Sequence, residues 1–215
     1  MRFEVLVEGV SDEPVVREVL ARRFQLREGE NFNIHPHQGK GRIPANPNAR
    51  PAPERRGLLD QLPAKLRGWH WLDAQVCVVV LVDADSDDCT ELLAQLHRML
   101  AALPRRPPRV MFRLAIEEVE SWFIADHAAL ARAYPRAKSA QLAKLRKLRP
   151  DEVVGAWERL AEAVGSVDAR GRPLAAKLEW ATRISPHLNL HKPSSPSLQK
   201  FMQGVARELS VEGAT

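Results

Sequence analysis

Three short apolar runs in the first half of the chain are each followed by carboxylates. The runs and the acids that follow them are FEVLV with Glu8, VCVVVLV with Asp83 and Asp85, and VMFRLAI with Glu117, Glu118 and Glu120. Apolar runs of this length that are rich in β-branched residues predict buried β-strands. Because the carboxyl ends of parallel strands lie at one edge of a sheet, where ligands bind in open α/β folds, we expect these acids to meet there.

The order of the predicted elements indicates an α/β fold with a mostly parallel, Rossmann-like sheet covered by helices. Strands are predicted at residues 2–8, 31–37, 76–82 and 110–116, and helices after Asp12, at 55–67, at 88–102 and around Trp122. Pro63 argues against a continuous helix at 55–67, because a proline inside a helix removes a backbone hydrogen bond. The proline-rich segment 38–54 predicts a loop.

The second part of the chain is predicted to be helical. No convincing strand follows Asp126, and helices are predicted around residues 127–134, 138–148, 151–164, 173–186 and 195–209. We therefore expect an α/β catalytic domain over residues 1–125 and an α-helical extension over residues 126–215, which packs on the sheet domain.

The composition favours a cytoplasmic protein that does not enter a membrane. Hydrophobic residues make up 45% of the 215 residues, which is enough for a core. No apolar stretch reaches the roughly 18 residues of a spanning helix, and the N-terminus lacks a secretory leader. The two cysteines, Cys77 and Cys89, form no CxxC pair, so a structural zinc site and a disulfide framework are not expected.

Positive charge is concentrated after the acidic site. Residues 1–125 carry 17 Lys and Arg against 18 Asp and Glu, whereas residues 126–215 carry 15 against 9. A predicted helix within the second part carries Lys144, Arg146 and Lys147. Such a helix suits sequence-independent, salt-sensitive binding to a phosphate backbone, and nucleic acid is the expected partner. A merely solvated helix face is the alternative.

A basic loop follows the second predicted strand. Lys40 and Arg42 alternate with Gly39 and Gly41 in this segment. Glycine permits a close backbone approach to a phosphate, so Lys40 is a candidate for stabilising the transition state at a scissile phosphate, and Arg42 for binding nucleic acid. A solvated basic loop is an equally good interpretation, and the GxxxxGK[ST] motif of ATP-binding loops is absent.

The segments VLVEGVSDEPVV and VVLVDADSDD resemble the TOPRIM domain of topoisomerases, primases and the overcoming-lysogenization-defect (OLD) nucleases. That family pattern is an apolar strand ending in Glu-Gly, then a strand ending in Asp-x-Asp, with further acids in the nucleases. The resemblance covers about residues 1–125. It implies a role for Glu8 in metal coordination or proton transfer. GKG at 39–41, the segment from Glu118 to Trp122 and the late ISPHLNL and SPSLQKF blocks resemble a small bacterial TOPRIM-like family. For such a family a partner ATPase and a role in antiviral defence are expected.

The clustered acids predict a cation, because carboxylates repel one another without one, and oxygen ligands favour Mg²⁺ or Mn²⁺. Asp83 and Asp85 are the leading ligands, since residues two apart face the same way if the strand continues that far. Glu118 and Glu120 are candidates for a second metal position. On a helix, however, a spacing of two would place them on different faces. The alternative for each acid is a helix cap or a partner of a helix dipole.

These observations together predict an Mg²⁺-dependent nuclease that cleaves phosphodiester bonds of nucleic acid, with DNA the expected substrate. Two alternatives remain open: a non-catalytic metal-binding subunit of an ATPase complex, and a phosphohydrolase that acts on a small phosphate compound. A serine hydrolase is disfavoured because no GxSxG motif is present. Tyr134, the only tyrosine, lies in the helical part and does not support a topoisomerase-like covalent route. A homodimer is compatible with all of these readings.

Overall fold

The computed structural model describes residues 1–168, 170 and 176–212 of the chain. Its four strands are β1 (Arg2–Val7), β2 (Phe32–Pro36), β3 (Val76–Asp83) and β4 (Val110–Ala115). They form a sheet in the order β2-β1-β3-β4, and every neighbouring pair is parallel. The predicted α/β class with a parallel, Rossmann-like sheet is therefore confirmed, and the predicted strand bounds agree closely with those observed.

The sheet changes its direction of winding between β1 and β3. From β1 the chain passes to β2 on one side and then crosses to β3 on the other side. In the register of the sheet, Val5 of β1 lies between Ile34 and Val79. Ligand crevices in open α/β sheets form beyond the carboxyl ends of the strands at such a switch point. The topology therefore directs attention to the residues that follow β1 and β3.

Helices cover both faces of the sheet. They are α1 (Glu13–Glu18) with a π-helical turn (Val19–Arg23), α2 (Leu58–Gly68), α3 (Cys89–Ala101), α4 (Glu120–Ala125), α5 (His127–Ala133), α6 (Ser139–Leu145), α7 (Ala156–Val164), α8 (Lys177–Ile184) with a 3₁₀ turn (Ser185–His187), and α9 (Pro196–Glu212). Because strand side chains alternate, Val5 and Val79 pack with α1 and the helices that follow β4. Leu6 and Val80 pack instead with α2 and α3.

The expectation that Pro63 would interrupt its helix is wrong. α2 is continuous from Leu58 to Gly68 with Pro63 inside it. The ring removes one backbone hydrogen bond, but Pro63 is buried together with Leu62 and Leu66. Burial of several apolar side chains on this face, each contributing about 1.5–3 kcal/mol, offsets the missing bond.

The described residues after Asp126 are helical, as predicted. The start of the helix predicted at 173–186 lies outside the described residues, and α8 begins at Lys177. The larger core cluster contains Trp180 of α8 and Phe201 of α9 together with Phe3 of β1. Helices from this part of the chain thus share a core with the sheet, while the boundary near residue 125 stays a prediction.

The longest described helix, α9, is amphipathic. Phe201 and Val205 are fully buried, whereas Lys200 and Arg207 are exposed. No helix among the described residues is both long enough and apolar enough to span a bilayer.

The start of α9 is held by a buried polar network. Asp151, in the loop before α7, accepts hydrogen bonds from Ser195 Oγ at 2.7 Å and from the backbone N–H of Ser197 at 2.6 Å. Trp122 of α4 donates from Nε1 to Ser197 Oγ at 2.8 Å. Asp151 therefore satisfies an N-terminal helix donor that would otherwise lack an intrahelical partner.

We predict that Asp151→Ala lowers the free energy of unfolding by about 1–3 kcal/mol, because buried donors on α9 lose their acceptor. Urea denaturation measures this change. The control is Glu152→Ala, since Glu152 is exposed and pairs with exposed Arg149 at 3.6 Å. A change within about 0.5 kcal/mol is expected for the control. Equal stability of the two variants would contradict a structural role for Asp151.

Candidate functional site

Carboxylates from neighbouring strand ends are linked at the switch point of the sheet. Glu8 follows β1 and accepts a hydrogen bond at Oε1 from the backbone N–H of Asp83, the last residue of β3, at 2.8 Å. Asp83 in turn accepts at Oδ1 from the backbone N–H of Val119, just before α4, at 3.1 Å. The predicted meeting of acids from three successive strands thus occurs through side-chain to backbone hydrogen bonds.

Asp12 joins these acids, although the sequence analysis placed it only before the first helix. It is 7% exposed, and its side chain accepts from the backbone N–H of Gly9 at 3.0 Å rather than from an N–H of α1. Glu120, at the start of α4, is 4% exposed and belongs to the same group. We call Glu8, Asp12, Asp83 and Glu120 the carboxylate cluster. The sequence could have indicated the place of Asp12, because Asp12 follows Glu8 in the same turn, in the sequence EGVSD.

Burial and mutual repulsion make the carboxylate cluster hard to ionise. Burial raises the pKa of Glu8 to about 8, and the charges of Asp12 and Asp85 act in the same direction. The pKa of Asp83 is raised well above its usual value, first by burial and then by Asp12, Glu8 and Glu120. Burial also raises the pKa of Glu120 to about 7 and that of Asp12. Without a compensating cation, these side chains favour their protonated forms.

Lys177 supplies one compensating charge. Its ammonium group donates to Glu118 Oε1 at 2.7 Å and lies 3.4 Å from Glu120 Oε2, with the Trp157 ring centroid at 5.8 Å. Burial lowers the pKa of Lys177, but the charges of Glu120 and Glu118 outweigh it and raise that pKa overall. The sequence analysis missed Lys177 because no motif marks a lysine that lies so far along the chain.

Glu118 and Glu120 do not lie on opposite faces of one helix, which the sequence analysis considered. Glu118 precedes α4, and only Glu120 lies in it. Both carboxylates contact the same ammonium group of Lys177. A single positive charge can therefore reach both side chains.

Lys40 supplies a second positive charge on the other side of the site. Its ammonium group donates to Asp85 at 2.9 Å, to Asp87 at 2.7 Å and to the carbonyl of Ala84 at 3.1 Å. The loop is fixed beside β1 because the backbone N–H of Gly39 donates to the carbonyl of Glu8 at 2.9 Å. The structure therefore places Lys40 next to the acids, where the sequence analysis put it.

Asp85 differs from the expected arrangement. β3 ends at Asp83, and Asp85 has a φ of +48°, so the alternation of a strand does not continue to it. Its side chain is 50% exposed and bonded to Lys40, whereas Asp83 is buried. The two aspartates therefore have different surroundings. The backbone N–H of Asp85 donates to the carbonyl of Glu117, another left-handed residue with a φ of +58°, at 2.7 Å. Left-handed non-glycine residues are uncommon and cluster at functional sites.

Glu117 and Glu118 also cap a helix that is distant in sequence. Glu117 accepts from the backbone N–H groups of Gly155 and Ala156, the latter at 3.0 Å. Glu118 Oε2 accepts from the backbone N–H of Trp157 at 3.1 Å. The expected pairing with a helix dipole thus concerns α7 rather than α4. The other oxygen of Glu118, Oε1, accepts from the ammonium group of Lys177, so Glu118 links the start of α7 to Lys177.

The basic residues predicted to bind nucleic acid lie in exposed positions. Arg42 is exposed in the loop before α2. Lys144 lies in α6 and pairs with Glu162 at 3.2 Å, and Arg146 and Lys147 follow at the end of that helix. α6 packs against α5 and α7. Their exposure leaves these side chains accessible to a polyanion.

The carboxylate oxygens of the site are suitable ligands for a hard cation, although they do not point toward one common position. Among the described residues, no three His, Cys, Asp or Glu side chains are arranged so as to hold a metal ion. The available donors are carboxylate oxygens, which Mg²⁺ and Mn²⁺ prefer. A divalent cation would also relieve the repulsion that raises the pKa of Asp83. Carboxylates that now accept from backbone N–H groups, such as Glu8 and Asp83, or that pair with Lys177, such as Glu120, would turn toward a common point to hold such an ion.

Comparisons with known proteins identify a family and a similar fold. The model of the family described as "Domain of unknown function (DUF4276)" matches residues 7–206. No curated protein matches the chain. Among solved structures, the chain is similar to the C-terminal region of the OLD protein of Xanthomonas campestris pv. campestris, with 12% identity and a TM-score of 0.52. That match covers 100% of this chain and 98% of the other. At this identity the likeness shows a shared fold.

We predict that Glu8→Gln stabilises the metal-free protein more at pH 8 than at pH 5. The pKa of Glu8 is raised from 4.5 to about 8 in the fold, so its protonated form is favoured. The contribution of protonated Glu8 to the free energy of unfolding is complete at low pH and is lost as the pH rises toward 8. Glutamine lacks the ionisation that causes the loss. We expect an advantage of about 1–3 kcal/mol at pH 8, measured by urea denaturation in EDTA.

Exposed Glu30 gives the matched control. Glu30→Gln should show no growing advantage between pH 5 and pH 8. An equal pH dependence for wild type and Glu8→Gln would contradict the electrostatic description of the carboxylate cluster.

Proposed function

This chain belongs to the DUF4276 family, and from that premise we propose that it is a metal-dependent nuclease with a TOPRIM-type α/β domain. The observation that carries the proposal is the group of buried carboxylates, Glu8, Asp12, Asp83 and Glu120, at the switch point of a parallel sheet. Burying acids that repel one another is costly unless a cation neutralises them. Such sites are where α/β folds bind ligands.

Glu8, Asp12 and Asp83 would hold the first Mg²⁺ or Mn²⁺ ion, with Asp85 beside them. Glu118 and Glu120 would contribute to a second position. Two divalent ions in such a site stabilise the attacking and leaving oxygens of a phosphodiester. Their donors are already close in the fold, because the N–H of Asp83 bonds to Glu8 and the two glutamates share the ammonium group of Lys177.

Two side chains have properties that suit the reaction itself. Lys40 holds its ammonium group beside the exposed carboxylates of Asp85 and Asp87, and in the proposed reaction it binds the negative charge that develops on the phosphate. In the metal-free protein burial raises the pKa of Glu8 to about 8, so the alternative role of Glu8, in place of metal coordination, is to donate or accept a proton near that pH. The substrate enters from the side where Asp85 is exposed.

The proposal extends to the partners that the sequence indicated. A nucleic acid, with DNA the first candidate, would also contact the exposed cations Arg42, Lys144, Arg146 and Lys147 through its phosphates. A partner ATPase and a role in antiviral defence are further parts of the hypothesis and rest on the TOPRIM resemblance alone. Assembly as a homodimer is compatible with the hypothesis.

The decisive experiment measures Mg²⁺- or Mn²⁺-dependent cleavage of supercoiled plasmid and single-stranded DNA. We predict that Asp83→Asn lowers the cleavage rate at least about 100-fold, because the buried ligand loses its charge. Asparagine keeps the Oδ1 acceptor for the N–H of Val119, so the fold should be retained. Asp73→Asn is the matched control, since Asp73 is exposed in the loop before β3.

The outcome separates the alternatives. Equal, metal-independent background for wild type and Asp83→Asn would contradict the nuclease. Calorimetric Mg²⁺ binding that disappears in Asp83→Asn, without any cleavage, would favour a non-catalytic metal-binding subunit. Release of phosphate from nucleotides, but not cleavage of DNA, would favour a phosphohydrolase of small compounds.

A further inference from the structure

A positively charged cavity lies between β4, α3 and α9. Its volume is about 270 Å³, and Arg113, Lys200 and Arg207 line it together with Cys89 and apolar side chains such as Phe112. Among the described residues its charged lining includes no carboxylate. We call it the α9 pocket. Three cations around one cavity without a lining acid are the usual composition of an anion-binding site.

The fold makes room for the guanidinium group of Arg113. A Cβ atom at Gly204 of α9 would lie 2.4 Å from Nη2 of Arg113 and 2.5 Å from the sulfur of Met111. A larger residue would displace the ends of these two side chains, so Gly204 leaves the guanidinium group where it is, although glycine inside a helix costs about 1 kcal/mol relative to alanine. The Arg113 guanidinium also donates to the carbonyls of Lys200 at 3.1 Å and Phe112 at 2.7 Å. Its position in the cavity is therefore fixed by the surrounding backbone.

The positive charge in the α9 pocket is only partly balanced by nearby acids. Burial lowers the pKa of Arg113, the charge of Arg207 lowers it further, and the charge of Glu208 raises it. Glu208 is shared with Arg109, which donates to its carboxylate at 3.0 Å. Lys200 and Arg207 are exposed. A bound anion would relieve the repulsion between these cations.

The α9 pocket and the acidic site both lie near the carboxyl ends of the strands. Leu114 of the lining is near the end of β4, which leads directly to Glu117 and Glu118. Cys89, also in the lining, begins α3 immediately after the turn that carries Asp85. Burial raises the pKa of the Cys89 thiol, whereas the charges of Lys200 and Lys40 both lower it. Lys200 of the α9 pocket and Lys40 of the acidic site thus both lie close enough to Cys89 to affect its pKa.

We propose that the α9 pocket binds a phosphate of the same nucleic-acid strand whose scissile bond lies at the carboxylate cluster. This inference rests on the proposed nuclease function. A polymer can place one phosphate on Arg113, Lys200 and Arg207 and another at the acids, whereas a small phosphate compound fills one position only. The apolar part of the lining, including Phe112, accommodates the sugar. Contacts of this kind position the strand without reading its sequence.

The test is binding of fluorescein-labelled single-stranded and duplex DNA by the full chain in EDTA, followed by anisotropy at several salt concentrations. Lys200→Gln/Arg207→Gln should weaken binding about tenfold or more. The slope of log K against log salt should become shallower by about 0.7–0.9 for each lost contact. The control is Arg105→Gln/Arg106→Gln, which removes the same charge from exposed positions before β4, at the opposite edge of the sheet. This control should bind as the wild type does.

A further variant, Lys200→Arg/Arg207→Lys, keeps the charge and should restore most of the affinity, so that loss through misfolding is recognised. Equal affinity and slope for wild type and Lys200→Gln/Arg207→Gln would overturn the proposal. It would also be overturned if inorganic phosphate displaced the DNA as effectively per phosphate group as unlabelled DNA does. Because EDTA prevents metal-dependent cleavage, binding at the α9 pocket is tested separately from the nuclease function, which Asp83→Asn tests.

Discussion

The repulsion among the buried acids at the ends of β1 and β3 is the constraint that organises this molecule. Glu8, Asp12, Asp83 and Glu120 lie where water cannot fully solvate them, and proton uptake or a nearby cation is needed to balance their charge. Lys177 provides part of that balance from α8, and Lys40 reaches the exposed aspartates from the loop after β2. Segments far apart in the chain thus contribute charges of opposite sign to one site.

The sequence predicted the parts of this arrangement that depend on local pattern. Apolar β-branched runs specify buried strands, and the order of strands and helices specifies a parallel sheet, so the placement of Glu8 and Asp83 at one edge followed. Asp12 and Lys177 were missed because their roles depend on tertiary proximity. A local rule also failed at Asp85, since β3 ends two residues earlier and the backbone there is left-handed.

The helical part of the chain contributes directly to the acidic site. Glu118 uses one oxygen for the first turn of α7 and the other for Lys177 of α8. Glu117 accepts two further N–H groups at the start of α7. These bonds tie the segment after β4 to helices that come later in the sequence, so the charge near Glu120 depends on their position. No short-range sequence pattern could predict bonds that close only when the helices pack on the sheet.

The opposite charges on either side of β4 argue for a polymeric ligand. On one side are acids that a divalent cation would neutralise, and on the other are Arg113, Lys200 and Arg207 with no acid among the described lining residues. A small phosphate compound has no need of a second cationic cavity beyond the end of a strand. A nucleic-acid strand carries a phosphate at every nucleotide, so it can satisfy both positions at once. In the proposed complex, cations held by the fold, as Arg113 is by the carbonyl of Lys200 in α9, would set where the strand lies relative to the acids.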